Sequence, residues 1–352
     1  MEAIRERYDN LDGLRVISCF CIIAMHIKAN TEYQMTDPVY THIIGGWGHF
    51  VALFLMISGF SMFCGYYERF KNGSMSLTEF YTRRYSKILP FFITLILLDI
   101  VLDRSLEHVF EGLIEVTMVF GLLPNNQLDV IGVSWTLGVI FLFYMLFPFF
   151  VYLCRNKIST VITLAVSIVI SLLCSVYFFS DKFVTADFTP RHNILYCAPW
   201  ILAGGFVYVF RKEITGFVSK FRWVWLAVCV LLDVAWHFTP GEIAGVDIWM
   251  IKNLLLYMPW LMYAISVKSY VLSNKFMKYL CGISLELYLA QMVIFRAVEK
   301  VHCLYLLGNG WFSFILVWIV VVLGLVGFII GWKKVWEFTS TKVKSLLAKS
   351  LK

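Results

Sequence analysis

Charged side chains are scarce in this 352-residue chain, in which 15% of the residues are charged and 60% are hydrophobic. A soluble domain averages about 25% charged and 45–50% apolar residues. No hydrophilic stretch is long enough to fold as a separate soluble domain, whereas several apolar runs reach the roughly 20 residues that cross a bilayer. The composition therefore excludes an ordinary soluble protein. It predicts an all-α, polytopic transmembrane helical bundle that forms a single membrane domain over 1–352.

The sequence also lacks metal-type cysteine spacing and internal repeats, and these two absences argue against a metal site and against many secondary transporters. The nine cysteines lie in or beside apolar runs at no spacing typical of a metal site, so we expect no metal. The chain has no obvious internal repeat of the kind that many secondary transporters show. Its net charge of +7 is explained by basic cytoplasmic loops, so we expect no nucleic-acid partner.

The apolar runs predict about ten membrane spans. Segment 107–123 is also apolar, but Glu107, Glu111 and Glu115 crowd its first part. If it crossed the membrane, most basic loops would face outward, against the tendency of Lys and Arg to stay in the cytoplasm. We therefore expect both termini in the cytoplasm and 107–123 as a partial or interfacial segment on the outer side. The ten spans lie near 11–28, 46–67, 87–102, 134–153, 158–179, 193–210, 222–238, 248–266, 279–299 and 311–332.

The last twenty residues, 333–352, are basic and follow an amphipathic pattern. We expect this cytoplasmic tail to be a helix that lies on the anionic inner leaflet rather than a site for a partner protein. The lipid bilayer is thus the partner that the composition predicts most directly.

The first span carries Asp12, Arg15 and His26 within an almost wholly apolar run. Arg15 and His26 are eleven positions apart, which puts them within roughly 20° of one helix face and roughly 16 Å apart along the axis. Ionisable groups on one stripe of a membrane helix indicate a functional site, because their burial in lipid is costly. His26 would then be a general base. The alternatives are a helix-end histidine bonded to a loop and an arginine that reaches lipid headgroups.

Three basic residues, Arg83, Arg84 and Lys87, precede the third span on the predicted cytoplasmic side. Clustered Arg and Lys commonly hold phosphates, although simple anchoring at the cytoplasmic surface is the alternative. In the ninth span, Glu286 and Gln291 interrupt an apolar helix, so they should face the interior of the bundle.

The second span begins at His49, on the same outer side as His26, so His49 would neighbour the site there. Near the middle of the same span, Ser58 and Gly59 are small residues. Small residues allow membrane helices to approach closely, so we expect them to serve packing.

Five stretches occur in the order that the membrane-bound acyltransferase 3 family shows. They are LDGLRVISCFCIIAMH (11–26), which contains Arg15-x10-His26, FLMISGF (54–60), RRYSKILP (83–90), SWTLGVIFLFYMLFP (134–148) and ISLELYLAQ (283–291). The chain resembles this family over nearly its whole length. The resemblance implies an integral membrane O-acetyltransferase that moves an acetyl group from cytosolic acetyl-CoA to a hydroxyl of an exported glycan or lipid-linked saccharide.

The resemblance also implies roles for individual residues. His26 would be the catalytic base or a transient acyl carrier, and Arg15 would position the donor. Arg83, Arg84 and Lys87 would bind the phosphates of acetyl-CoA. The protein would reside in the plasma (inner) membrane, and a homo-oligomer is left open. Further candidates for acceptor contacts or support are Asp12, His49, Trp135, Glu286, Tyr288 and Gln291.

The chain departs from the family pattern at two positions. Many relatives carry glutamate after the WxLGV motif, where this chain has Ile140, and histidine where it has Gln291. A group that orients the base must then come from elsewhere, and Glu286 is the candidate. We expect the outer segments 103–133 and 180–192 to determine acceptor specificity. The competing interpretation is a non-enzymatic transporter or flippase, or a ligand-sensing membrane domain.

Overall fold

The computed structural model describes residues 7–122, 131–180, 182–184 and 188–350, and its helices confirm the predicted all-α bundle. The described β structure is one antiparallel pair, Glu242–Ile243 with Val246–Asp247. The α-helices are α1 (Asn10–Ala29), α2 (Phe50–Lys71), α3 (Leu77–Asp103), α4 (Leu106–Thr117), α5 (Trp135–Leu153), α6 (Lys157–Leu173), α7 (Ile194–Val209), α8 (Arg211–Lys220), α9 (Arg222–Phe238), α10 (Trp249–Ser266), α11 (Tyr270–Ser273), α12 (Lys275–Cys281), α13 (Ser284–Lys300) and α14 (Trp311–Ser350).

Each of the ten predicted spans contains a helix. Within the described residues, six helices are long and apolar enough to cross a membrane, or eight if two bent helix pairs each form one span. The helices α9 and α10 have 17 and 18 residues, which gives about 26 and 27 Å against a hydrocarbon core of about 30 Å. The count of ten and the cytoplasmic position of the termini therefore stay predictions.

Two helix boundaries differ from the predicted ones near the basic end of the bundle. Helix α3 begins at Leu77 instead of residue 87, because the Ser76 hydroxyl accepts a hydrogen bond of 3.1 Å from the Glu79 amide. This start is the Ser-x-x-Glu pattern of a capped helix. The predicted span 279–299 is broken instead of continuous, with a bend of 67° between α12 and α13. Both differences place polar residues next to one cavity.

The basic tail is helical and continues the helix of the last predicted span. Helix α14 runs for 40 residues without interruption, from the last predicted span into the tail. A helix of this length extends about 60 Å, roughly twice the thickness of the hydrocarbon core. A position of the tail on the membrane surface stays a prediction, and the tail's last residues, 351–352, lie outside the described residues.

Helix α1 lies at the centre of the bundle, where it packs against α2, α10, α13 and α14 and against the short helices α11 and α12. Its first residue, Asn10, is buried, and its amide nitrogen donates to the Ala264 carbonyl at 3.1 Å while its amide oxygen accepts from the Ser269 amide. These bonds satisfy the end of α10 and fix the position of α1 along its axis.

Glycines confirm the predicted close packing in the second span. A Cβ atom built on Gly59 would lie 2.0 Å from the Ile201 carbonyl oxygen of α7. A Cβ atom on Gly204 of α7 would lie 2.1 Å from the Met56 carbonyl oxygen of α2. The backbones of α2 and α7 therefore touch at this level, which only glycine permits.

Helix α4 and a turn of 3-10 helix at Phe120–Leu122 lie in the ambiguous segment 107–123, of which residues 107–122 are described. The 12 residues of α4 extend about 18 Å, which is too short to cross the bilayer and agrees with a partial segment. Glu115 is fully buried at its end, where one carboxyl oxygen accepts from the Ser134 hydroxyl at 2.8 Å and from the Ile131 amide at 3.2 Å. This carboxyl holds the turn that leads into α5, and burial raises the pKa of Glu115 to about 8.

Replacement of Gly204 tests the contact between α2 and α7. We expect Gly204→Ala to destabilise the protein by about 1–3 kcal/mol, because the new methyl group overlaps the backbone of α2. The thermal unfolding midpoint in detergent measures the change. The matched control is Gly216→Ala in α8, where no atom lies within 4 Å of the added Cβ. Equal midpoints for the two variants would contradict the close approach.

Titration of Glu115 should make the stability of the protein depend on pH. Because its pKa rises from 4.5 to about 8 on folding, the folded state holds a proton that the unfolded state releases, and stability falls as pH rises across this range. We expect the unfolding midpoint of Glu115→Gln to fall less than that of the wild type between pH 6 and pH 8. Glu107→Gln, an exposed position on the same helix, should keep the wild-type slope; equal slopes in all three proteins would refute the assignment.

Candidate functional site

A cavity of about 420 Å³ opens at the end of the bundle that we predict to face the cytoplasm. We call it the inner cavity. It brings together side chains from α1, α2, α3, α5 and the bend between α12 and α13. The residues of the sequence prediction that line it are Arg15, Arg83, Arg84, Lys87 and Glu286. Five candidates that are up to 271 positions apart in sequence thus share one site.

Arg15 enters the inner cavity from the first turns of α1. Its Nη2 donates to the Ser61 hydroxyl at 3.2 Å, and its guanidinium carbon lies 5.7 Å from the centre of the Phe54 ring. Its Nε is buried and has no hydrogen-bond partner within the described residues. The guanidinium is therefore directed into the protein and away from lipid headgroups.

Arg84 lines the same cavity as Arg15 and lies against aromatic rings. Its guanidinium carbon is 4.4 Å from the centre of the Tyr66 ring and 5.5 Å from that of Tyr144. Its buried Nε also lacks a hydrogen-bond partner in the part of the chain that the structure describes. Aromatic faces attract a cation without neutralising its charge, so Arg84 keeps its full capacity to bind an anion.

Arg83 and Lys87 stand at the open side of the cavity. Arg83 is exposed and donates to the Glu79 carboxylate at 2.6 Å, one helical turn earlier on α3. Lys87 lies within the electrostatic reach of Arg15, Arg84 and the Glu286 carboxylate. These two residues can therefore meet a charged ligand before it reaches the buried guanidinium groups.

The charge balance of the inner cavity is strongly positive. Four cations line it, whereas its one lining carboxylate among the described residues, that of Glu286, lies 3.6 Å from the Lys333 ammonium of α14. Ile140 lines the wall at the position where many relatives have glutamate. An excess of cations over carboxylates in the lining of a partly buried cavity favours a polyanionic ligand, since arginine binds phosphates particularly well.

His26 lies at the opposite end of α1 and does not line the inner cavity. His26 is partly buried and lies within the electrostatic reach of Arg191. The buried Tyr288 also lies within the reach of Arg191. Next to Arg191, the His192 ring stacks on Trp135 with ring centres 4.5 Å apart. Burial and the neighbouring Arg191 charge lower the pKa of His192 to about 3, so this ring is neutral near pH 7.

A second cavity, of about 470 Å³, lies between α3 and α13 at the same end as His26. We call it the outer cavity. Along one stripe of α13, its lining changes from the apolar Leu289 and Val293 to the cationic Arg296 and Lys300. Arg296 lies 3.4 Å from the Asn30 side-chain oxygen at the end of α1. The two cavities therefore lie near the two ends of α1.

Two other candidates lie outside both cavities. Asp12 accepts from Arg7 at 2.9 Å and lines a small separate space of about 290 Å³ on the other side of Arg15. His49 is buried, bonds to the Tyr257 hydroxyl and lies 4.2 Å from the Trp236 ring. These contacts give both residues structural partners of their own.

Four residues at these sites were not predicted from the sequence: Ser61, Tyr66, Tyr144 and Arg191. Ser61 follows Ser58 by one helical turn, so helical periodicity could have placed it on the cavity face. The two tyrosines come from different helices, and no local pattern indicates that they meet around Arg84. Arg191 lies in the outer segment 180–192, which we expected to determine acceptor specificity; residues 181 and 185–187 of that segment, and 123–130 of segment 103–133, lie outside the described residues.

Comparison with known proteins shows which family this chain is similar to. The family model described as an acyltransferase domain matches residues 8–332. The chain is 27% identical to the acyltransferase MdmB of Streptomyces mycarofaciens over 211 residues, which are 55% of this chain and 53% of that protein. It thus spans about half the length of this curated relative, and no solved structure matches it. The family match covers both cavities and nearly all of the helices, so the chain belongs to the acyltransferase 3 family.

Proposed function

We propose that the protein transfers an acetyl group from cytosolic acetyl-CoA to a hydroxyl of an exported glycan or lipid-linked sugar. The observation that carries this proposal is the pair of unneutralised guanidinium groups, Arg15 and Arg84, in the inner cavity. Coenzyme A is a polyanion with a long uncharged arm. Its phosphates complement the cationic cavity at one end of the bundle, and its arm complements the apolar interior.

The donor would bind with its phosphates at Arg83, Arg84 and Lys87. Its pantetheine arm would then extend along α1, past Arg15 and towards His26. The roughly 16 Å between Arg15 and His26 is comparable to the length of an extended pantetheine arm. The thioester would therefore arrive near the outer end of α1, while the phosphates remain at the cytoplasmic end.

His26 would act as the base for the acceptor hydroxyl. When the hydroxyl oxygen attacks the thioester carbon, a C–O bond forms and the hydroxyl proton passes to His26. The C–S bond then breaks, and the proton moves to the departing thiolate of coenzyme A. General-base catalysis of this kind contributes about 10²–10⁴-fold to the rate.

The acceptor would use the outer cavity. Its apolar inner part and its polar outer part, which holds Arg296, Lys300 and the carboxylate of Asp99, suit a ligand that reaches the site from the outer leaflet. The stacked pair of Trp135 and His192 lies near the start of α5 on the same side and offers a flat surface for a sugar ring. This arrangement supports an acceptor on the outer side and a donor on the inner side.

Protection of Cys281 from alkylation tests the donor site. Cys281 lines the inner cavity, so we expect coenzyme A to slow its reaction with a maleimide, measured by mass spectrometry of the Cys281 peptide. In Arg84→Gln, the concentration needed for protection should rise about tenfold or more, because a charge-assisted bond is lost. Arg155→Gln removes a charge from an exposed loop. In this variant, coenzyme A should protect Cys281 at the same concentration as in the wild type. Alkylation that coenzyme A does not slow would contradict the donor site.

Acetyl transfer in inverted membrane vesicles tests the reaction. We expect label from radioactive acetyl-CoA to appear in the glycan and lipid fraction, and His26→Gln to lower the rate about 100-fold or more because the base is lost. His42→Gln, an exposed histidine on the predicted outer side, is the matched control. Equal rates for His26→Gln and the wild type would remove His26 from the mechanism, and no labelling by the wild type would favour a transporter or a sensor.

A further inference from the structure

The side-chain amide of Gln291 in α13 is buried without a hydrogen-bond partner among the described residues. It is 1% exposed, and within the described residues neither its nitrogen nor its oxygen has a hydrogen-bond partner. Buried polar groups in proteins are nearly always paired, so an amide with both atoms unpaired requires an explanation. A group on a substrate would supply the missing partner.

Two contacts fix the level of Gln291 relative to α1. The Cys19 thiol lies 3.7 Å from the Ser284 carbonyl oxygen, and the Asn30 side chain lies 3.4 Å from Arg296. The earlier residue of α1 contacts the earlier residue of α13, and the residue at the end of α1 contacts the later one. The helices α1 and α13 therefore run parallel, and these contacts define their register. Gln291 therefore lies at the level of His26, which follows Cys19 by the same seven residues, about two helical turns, that separate Gln291 from Ser284.

The buried face of α13 is directed towards the interior of the bundle. Tyr288, one turn before Gln291, stacks on Phe54 of α2 with ring centres 5.7 Å apart and lies within hydrogen-bonding reach of Thr136 of α5. Ser284, Tyr288 and Gln291 are all buried and repeat at helical spacing on this face. The amide of Gln291 thus lies on the side of α13 that faces α1, α2 and α5, two residues beyond Leu289, where the lining of the outer cavity on α13 begins.

We infer that Gln291 is a catalytic residue whose Nε2 donates a hydrogen bond to the carbonyl oxygen of the acyl thioester. This inference rests on the proposed function. When the acceptor oxygen attacks, the C–O bond forms, the carbonyl electron pair moves onto oxygen, and the hydroxyl proton passes to His26. The Gln291 donor stabilises the resulting oxyanion until the C–S bond breaks and the proton moves to the thiolate.

An amide suits this place better than a charged group. It stays neutral at every pH, so it adds no further positive charge to a bundle that already holds unneutralised arginines. Its oxygen remains available to accept a hydrogen bond from a hydroxyl of the acceptor. Both unpaired atoms would then find partners only when donor and acceptor are present together.

The variants Gln291→Leu and Gln291→His separate a catalytic donor from a packing residue. Leucine keeps the volume and removes the donor, whereas a neutral imidazole restores an N–H of similar reach. From the known effect of removing one oxyanion donor, we expect Gln291→Leu to lower kcat about 100-fold or more. The KM for acetyl-CoA and the protection of Cys281 by coenzyme A should stay within about threefold, and Gln291→His should recover most of the rate.

The assay uses the full chain in inverted vesicles with radioactive acetyl-CoA as the varied substrate, and Gln34→Leu, an exposed outer glutamine, as the control. A kcat of Gln291→Leu equal to that of the wild type would overturn this inference and leave the proposed function intact. Loss of donor protection together with kcat, without recovery in Gln291→His, would assign Gln291 a packing role instead. No transfer by the wild type would overturn the proposed function and this inference with it.

Discussion

The guanidinium groups of Arg15 and Arg84 set the main physical constraint on this structure, because they enter a membrane bundle without a carboxylate partner among the described residues. A buried charge is stable only if it is paired, hydrogen-bonded or close to water. Arg15 has the Ser61 hydroxyl, and Arg84 has the Tyr66 and Tyr144 rings, but neither contact removes the positive charge. The cavity that they line opens at the predicted cytoplasmic end, where a polyanion would neutralise them.

The helix architecture follows from keeping this cavity in place. Helix α3 starts ten residues early, so that Arg83, Arg84 and Lys87 stand on a rigid helix, and the bend before Ser284 opens the wall opposite. Helix α1 lies among six other helices and connects the cationic end to the end that carries His26. In the proposed reaction, a rigid helix of this kind would hold the donor and the base at a fixed separation, and fixed geometry of the reacting groups is a general source of rate.

The sequence predicted the helix positions well, because long apolar runs are a direct signal of membrane helices. It also placed Arg15 and His26 on one face of α1, since helical periodicity is a local property. It could not show that Arg84 stacks on tyrosines from two other helices, or that Arg191 approaches His26. Such contacts depend on how distant segments pack, and one sequence contains no local pattern that encodes them.

Ile140 and Gln291 illustrate the same limit. Both were visible as departures from the family pattern, but their consequences depended on the surroundings that packing creates. Ile140 removes a negative charge from the wall of a cationic cavity, whereas Gln291 places an unpaired neutral amide at the level of His26. The two departures together leave an inner cavity with one carboxylate fewer than the family pattern implies and an amide in place of a titratable side chain at the level of His26.

In the proposed reaction, the inner cavity binds the phosphates of the donor. Equilibrium binding of coenzyme A and of pantetheine to the purified full-length protein in detergent tests this role most directly. Because the phosphates would contact several cations, the account predicts that coenzyme A binds at least about 100-fold more tightly than pantetheine and that added salt reduces this difference. Equal affinities for the two compounds, or no dependence on salt, would contradict it.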